Sequence, residues 1–137
     1  MAIKGQGGEN IPINNGFRKT KGTHKIDLLS IGVNALKDIT YFGLKIEDIG
    51  KEYCHFPTDL SKGYGENYFK GLTSEMKVMK DKKIVWIKIR DRNEPLDCRN
   101  YSRAALEISG LNLEKLSQIR AGKVVKKKQI AKPKHVS

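Results

Sequence analysis

Asp97 is the residue whose setting points most directly to chemistry. Asn93, Glu94 and Pro95 are typical of the start of a helix, and Gly110 is placed to end it. The helical face that contains this acid is otherwise formed by Tyr101, Ala104, Ala105 and Ile108. Carboxylates are rarely buried without a partner, so an acid at the rim of a packed face requires a metal, a basic side chain or the helix dipole. The alternative, that the acid only satisfies first-turn amides, stays open at this point.

Lys37 and Asp38 form a second candidate site. They follow a predicted strand and open a predicted helix. Backbone N–H groups at such a helix start attract phosphate, and a lysine adds a point charge. The alternative is an ordinary solvated helix start.

Several well-known site motifs are missing from the sequence. No G-x-x-x-x-G-K-[ST] or G-x-G-x-x-G pattern occurs, and the two cysteines and three histidines supply no C-x-x-C or H-x-x-x-H spacing. The sequence therefore gives no support to an ATPase, a nucleotide-dependent redox enzyme or a zinc site.

The hydrophobic pattern predicts an α/β arrangement around these residues. The segment at residues 25–33 is apolar on both parities, which indicates a buried central strand, and Asn34 is a suitable N-cap for the helix after it. The other predicted elements are a strand at 2–4, a long loop at 5–22, a short strand at 52–56, a short helix at 66–72, a hairpin that turns at Asp81-Lys82, and the helix at 93–110.

Length and charge indicate one cationic domain with a basic tail. The chain has 137 residues and a net charge of +12, which favours a polyanionic partner. Seven cations and no acid lie between Arg120 and the C-terminus, including Lys126, Lys127 and Lys128. We therefore predict a domain at residues 1–118 and a basic, flexible tail at 119–137. The longest apolar stretch is too short and too polar for a membrane helix, and the N-terminal residues have no signal-peptide core.

Five sequence blocks, taken in order, resemble the C-terminal nuclease domain of the large terminase subunit of tailed phages, in particular the lambda-like GpA family. They are AIKG at residues 2–5, IGVNALKD at 31–38, HFP at 55–57, YFKGLTSE at 68–75, and NEPLDCRNY at 93–101 with AAL at 104–106. The resemblance covers roughly residues 2 to 116, and five blocks in order are far more specific than any one of them.

The resemblance implies a fold and a reaction. The family is similar to RNase H-like nucleases, so we expect an α/β, RNase H-like nuclease fold in which acidic side chains gather Mg²⁺ or Mn²⁺. The implied activity is cleavage of concatemeric double-stranded DNA during phage DNA packaging, by metal-dependent hydrolysis. By position, Asp97 matches the family's late-helix acid, and Lys37 and Asp38 match its basic and acidic pair. We therefore expect Asp97 and Asp38 as metal ligands and Lys37 as a phosphate contact.

The resemblance also implies partners. Double-stranded DNA would contact Lys4, Lys37 and the tail lysines 126–128. The protein partners would be the ATPase motor of the large subunit, the small terminase subunit and the portal, in the cytoplasm of the bacterial host and with no membrane involved.

The sequence departs from the family pattern in ways that affect activity. The family carries a further acid on an earlier strand, whereas here the AIKG block begins at residue 2, so we expect an incomplete fold that lacks its first catalytic strand and exposes an unpaired sheet edge. Asn34 also stands where the family commonly has an acid, and Pro95 where it has alanine. Activity of the chain alone is therefore expected to be weak or absent. The alternative is a noncatalytic basic DNA-binding module derived from a degraded prophage gene.

Overall fold

The architecture is mixed α/β, as predicted, and is described by a computed structural model of residues 2–122. A three-stranded sheet has the order β1 (Ala2–Gln6), β3 (Asp27–Gly32), β2 (Asn14–Lys19). β3 runs parallel to β1 and antiparallel to β2. The predicted central strand is confirmed, because β3 lies in the middle of this sheet and its residues Leu29 and Ile31 are almost fully buried. β1 lies at the edge, since β3 is its only paired strand among the described residues.

The predicted loop at residues 5–22 is wrong in part, because it contains β2. Every residue of β2 is exposed, so no alternation of apolar and polar residues marks it in the sequence. The ladder to β3 forms the strand, and its register is interrupted between Asn14 and Phe17. Hydrogen bonding, not burial, therefore defines this element.

Helix α1 (Val33–Gly43) follows β3 without a loop. The predicted N-cap at Asn34 is wrong: Gly32 caps the helix with an extended backbone, and no side chain bonds to the first turn. Gly32 is required there because a Cβ would lie 2.3 Å from the carbonyl oxygen of Ile11. The Gly32 N–H donates to the carbonyl oxygens of Pro12 and Ile13, which fixes the β1–β2 loop over the start of α1.

The middle of the chain combines a loop, a helix and a hairpin. The predicted strand at 52–56 is wrong, since the segment before the 3-10 turn Leu60–Lys62 has no regular structure. The predicted short helix is confirmed as α2 (Glu66–Leu72), and the predicted hairpin as β4 (Glu75–Lys80) and β5 (Lys83–Lys88). β4 and β5 form a separate two-stranded sheet.

Helix α3 (Glu94–Ser109) is confirmed and ends at Gly110, which has the left-handed conformation. Its predicted inward face is partly wrong. Asn100 and Ala104 are buried, whereas Tyr101 is 39% exposed and Ala105 is exposed. The reason is a hydrogen bond of 3.0 Å from the Thr40 hydroxyl to Asn100 Oδ1, which turns a polar residue toward α1.

The core is small and joins the sheet to both long helices. It contains Leu29, Ile31, Leu36 and Ala104. A last helix, α4 (Leu113–Arg120), was not predicted from the sequence, and the predicted domain end at residue 118 falls within it. The predicted tail lies mostly outside the described residues. No helix within residues 2–122 has the length and apolar character needed to cross a bilayer.

Candidate active site

Lys37 lies in the second turn of α1 and points into the space between α1, the hairpin and α3. Its Nζ atom donates to Glu75 Oε2 at 2.5 Å, and both side chains are about nine-tenths buried. The ammonium group also lies 5.8 Å from the centre of the Trp86 ring. A lysine becomes this buried only when a carboxylate compensates its charge, so the pair forms the centre of a polar site.

Glu75 is the first residue of β4, and its position is fixed by contacts to its backbone as well as to its carboxylate. The Tyr41 hydroxyl donates to the Glu75 carbonyl oxygen, and the Glu75 N–H lies 3.3 Å from the same hydroxyl. Glu75 Oε1 accepts a hydrogen bond of 3.3 Å from the Asn93 amide. This acid is therefore held in one place before any ligand binds.

Asp97 lies on the first turn of α3, next to the same amide. Asn93 Nδ2 donates to Asp97 Oδ2 at 3.1 Å while it also donates to Glu75, so one amide bridges the two carboxylates. Burial raises the pKa of Asp97, and the nearby charge of Glu75 raises it further, whereas Lys37 and Lys88 act in the opposite direction. The two nearby carboxylates repel each other when both are ionised, and a bound cation would relieve this repulsion.

The contacts of Asp97 test the alternative that this acid only satisfies amides of the first helical turn. In the described part of the chain, its carboxylate bonds to the Asn93 side chain, and no first-turn amide donates to it. The acid therefore faces the polar site and does not act as a helix cap.

Asp38 is placed differently. Its carboxylate accepts a hydrogen bond of 2.7 Å from Lys77 on the hairpin, and both side chains are almost half exposed. This pair borders a separate cleft of about 480 Å³ that also contains Trp86 and the β1–β2 loop. The structure thus brings Lys37 and Asp97 to one site and leaves Asp38 on the neighbouring face of α1.

The remaining predicted DNA contacts are distributed over the chain. Lys4 is exposed on β1, where its register partner is Ser30 of β3. The tail lysines 126–128 lie outside the described residues. Their role in DNA binding stays a prediction.

Sequence reasoning missed Glu75 and Asn93 as members of the site. Both belong to the sequence blocks quoted above, but neither shows a spacing that is typical of a ligand. The hairpin turn at Asp81-Lys82 is the signal that could have found them. Pairing residues outward from this turn puts Glu75 opposite Lys88 at the base of the hairpin, a few residues before Asn93. A buried acid at the start of a strand is uncommon, which makes such a position a candidate member of a functional site.

The side chains present fit a hard divalent cation as a small ligand set. Glu75 and Asp97 supply carboxylate oxygens, which are hard donors, whereas Asn93 turns its amide nitrogen toward both acids and bridges them. Mg²⁺ is commonly held by one or two carboxylates, with the other positions taken by water and substrate phosphate. Within residues 2–122, no group of three or more acids, histidines or cysteines is close enough together to hold a metal by itself. The remaining ligands would have to come from elsewhere.

Comparison with known families decides the identity of the domain. The model of the family described as "Terminase large subunit gpA, endonuclease domain" matches residues 1–119. The chain belongs to this terminase endonuclease family. No curated protein and no solved structure matches the chain.

Membership confirms the resemblance inferred from the five sequence blocks and supports a role in phage DNA packaging. It also implies, in general terms, metal-dependent nuclease activity, with DNA and other terminase components as partners. The site of this terminase domain lies wholly within the matched residues, since Lys37, Glu75, Asn93 and Asp97 all precede residue 119.

Proposed function

We propose that this chain is a metal-dependent DNA endonuclease domain that cuts concatemeric double-stranded DNA during phage packaging. The observation that carries the proposal is the pair of carboxylates, Glu75 and Asp97, bridged by Asn93 and placed beside a buried lysine. In this reading the domain has an RNase H-like organisation, with Mg²⁺ or Mn²⁺ held by the two acids.

Each side chain of the site has a specific role in this proposal. Glu75 and Asp97 hold the ion, and Asn93 keeps the two carboxylates at a fixed separation. When bound, the ion would activate water and stabilise charge on the phosphate that is attacked. Lys37, whose ammonium group pairs with Glu75, is the proposed phosphate contact. Tyr41 positions Glu75 through its backbone.

Asp38 is the alternative second ligand that the sequence indicated. The bond of Asp38 to the exposed Lys77, and the Asn93 amide that joins Glu75 to Asp97, favour Glu75 for that role. We keep both acids in the experiment, because a variant of each separates the two assignments.

The chain alone is proposed to have weak activity. Two carboxylates are fewer protein ligands than a two-metal nuclease site requires. The exposed edge of β1 offers a position at which another part of the terminase large subunit, such as the segment that carries its ATPase motor, could add a strand. A noncatalytic DNA-binding module is the competing proposal, and the small ligand set favours it.

Nicking of supercoiled plasmid in the presence of Mg²⁺ or Mn²⁺ tests the proposal. We expect Asp97→Ala and Glu75→Gln to abolish metal-dependent nicking, and Asp38→Asn to retain it. Calorimetric titration with Mn²⁺ gives a second readout that does not depend on activity, and the same two variants should lose the binding heat. Nicking that survives Asp97→Ala would remove that residue from the site. DNA binding that weakens steeply with salt, without cleavage by any variant, would favour the noncatalytic module.

A further inference from the structure

The tip of the β4–β5 hairpin, residues 79–84, carries a cross-strand pair of apolar side chains and three lysines. Met79 and Ile84 are cross-strand neighbours, and they are 76% and 40% exposed. Within residues 2–122 the hairpin pairs with no third strand, and Ile84 lines the cleft between the hairpin, the start of α1 and the β1–β2 loop. The Ile84 N–H donates to Glu9 of the β1–β2 loop, which is the tip's hydrogen bond to the rest of the domain.

The tip also carries three lysines, and two of them, Lys80 and Lys83, are cross-strand neighbours on the face opposite Met79 and Ile84, because successive residues of a strand point to opposite faces. Lys80, Lys82 and Lys83 are exposed, and none of them forms a salt bridge with another described residue. The one acid of the tip is Asp81. The tip therefore carries three lysines against Asp81, with the Glu9 carboxylate beside Ile84, and Lys80 and Lys83 share the face opposite the apolar pair.

The turn itself has an unfavourable backbone. Asp81 and Lys82 have φ angles of 50° and 61°, a left-handed conformation that Asn-Gly adopts more easily. Lys82 thus occupies the outermost position of the hairpin although glycine would fit it better. The conformation is one that sequences optimised only for stability would avoid.

The base of the hairpin is firmly attached to the candidate active site. Glu75 bonds to Lys37, and the Trp86 ring lies 4.9 Å from the ring of Tyr41 on α1. Five residues of extended strand separate Glu75 from Lys80, which corresponds to roughly 17 Å. This is about half a turn of B-DNA, so a single duplex can reach both the site and the tip.

We propose that the hairpin tip enters the major groove of duplex DNA beside the cleavage site. The major groove is wide enough to admit a two-stranded β-ribbon, whereas the minor groove is about half as wide. Lys80 and Lys83 would contact phosphates on the groove walls, and Lys82, at the outermost position of the turn, would face the base edges. The inference rests on the proposed function in one respect, namely that the ligand is double-stranded DNA.

Fluorescence anisotropy with the full 137-residue chain and a labelled 30-base-pair duplex tests this inference. EDTA is included so that cleavage plays no part. The test variant is Lys80→Ala/Lys83→Ala, and the matched control is Lys62→Ala/Lys115→Ala, which removes the same charge from the 3-10 turn and from α4. If each tip lysine contacts a phosphate, the log–log salt slope falls by about 0.9 per lysine and the affinity near 0.1 M salt by about tenfold per lysine. The control should lower the affinity much less and leave the slope near that of the unmodified chain.

Two further measurements separate a DNA contact from a structural role. Lys82→Gly should raise the thermal melting temperature, because glycine relieves the left-handed turn, and yet lower DNA affinity, because it removes one positive charge. Methyl green, which occupies the major groove, should compete with the protein, and netropsin, which occupies the minor groove, should not.

The outcomes distinguish this inference from the proposed function. Equal losses in the tip variant and the control, or competition by netropsin alone, would overturn the major-groove contact while metal-dependent nicking could still stand. A tip variant that binds DNA normally but no longer binds another terminase component would assign the surface to a protein partner, which also overturns it. A tip-dependent salt slope without any nicking would retain the hairpin contact and reject the nuclease.

Discussion

Replacing Lys37 by methionine should destabilise the domain strongly, because it leaves Glu75 buried without its counter-charge. The Lys37 and Glu75 side chains are only 12% and 9% exposed, with Nζ 2.5 Å from Oε2. Removing one partner of a buried pair costs about 3 to 5 kcal/mol, and we expect the lower end because the Asn93 amide still donates to Glu75. Methionine has a similar length and fills much of the same space, so most of this loss is electrostatic.

A second, exposed pair between α1 and the hairpin provides the control. Lys77 and Asp38 are 43% and 47% exposed at a similar separation of 2.7 Å, so Lys77→Met should cost no more than about 1 kcal/mol. Urea unfolding of both variants at pH 7 and low salt gives the comparison. In the double variant Lys37→Met/Glu75→Gln, the unpaired charge is gone and most of the lost stability should return.

Addition of Mg²⁺ sharpens the test. A divalent cation at Glu75 and Asp97 would replace the lost ammonium charge, so Mg²⁺ should stabilise Lys37→Met more than it stabilises the unmodified chain. If Lys37→Met and Lys77→Met cost the same, or if Glu75→Gln does not restore stability, the reasoning about the buried pair is refuted.

Three further predictions concern Asp97, the α1–α3 contact and the start of α1. The pKa of Asp97 is raised above its ordinary 3.8, so the folded state binds the proton more tightly than the unfolded state, and stability falls as pH rises through the interval above that value. The difference in unfolding free energy between the unmodified chain and Asp97→Asn, followed from pH 3 to 7, should show this fall. A difference that does not change with pH would contradict it. Thr40→Val should cost about 1 to 3 kcal/mol in urea unfolding, because it leaves Asn100 Oδ1 buried without a donor. The double change Thr40→Val/Asn100→Leu should cost less than the single change. A larger loss of stability in the double variant would contradict this. Gly32→Ala should cost about 3 kcal/mol by the same measurement, because its Cβ would meet a backbone carbonyl oxygen at 2.3 Å. Gly50→Ala, where the space is open, should be nearly neutral. Equal effects of the two changes would show that the β1–β2 loop moves freely.

Those elements that have a strong local pattern could be predicted from the sequence. The central strand around Leu29 and Ile31 is apolar on both parities, and the hairpin is marked by alternation on either side of Asp81-Lys82. β2 could not be predicted, because its side chains are all exposed and only its ladder to β3 defines it. The buried face of α3 was predicted in part wrongly for the same reason, since it depends on a contact between distant residues. The apolar stripe suggested that Tyr101 is buried, whereas a hydrogen bond from Thr40 places Asn100 in the interface.

By itself, the sequence determined the family, the α/β class and two members of the candidate site, Lys37 and Asp97. Ordered motif blocks and local periodicity are carried by neighbouring residues, so they can be read without a structure. Only the tertiary structure decided that Glu75 joins Asp97 through Asn93, while Asp38 bonds to Lys77 on another face of α1. The physical reason is that the pairing of charges depends on how the hairpin packs between α1 and α3. Side chains 38 residues apart, such as Lys37 and Glu75, meet only because that packing buries both and makes each the counter-charge of the other.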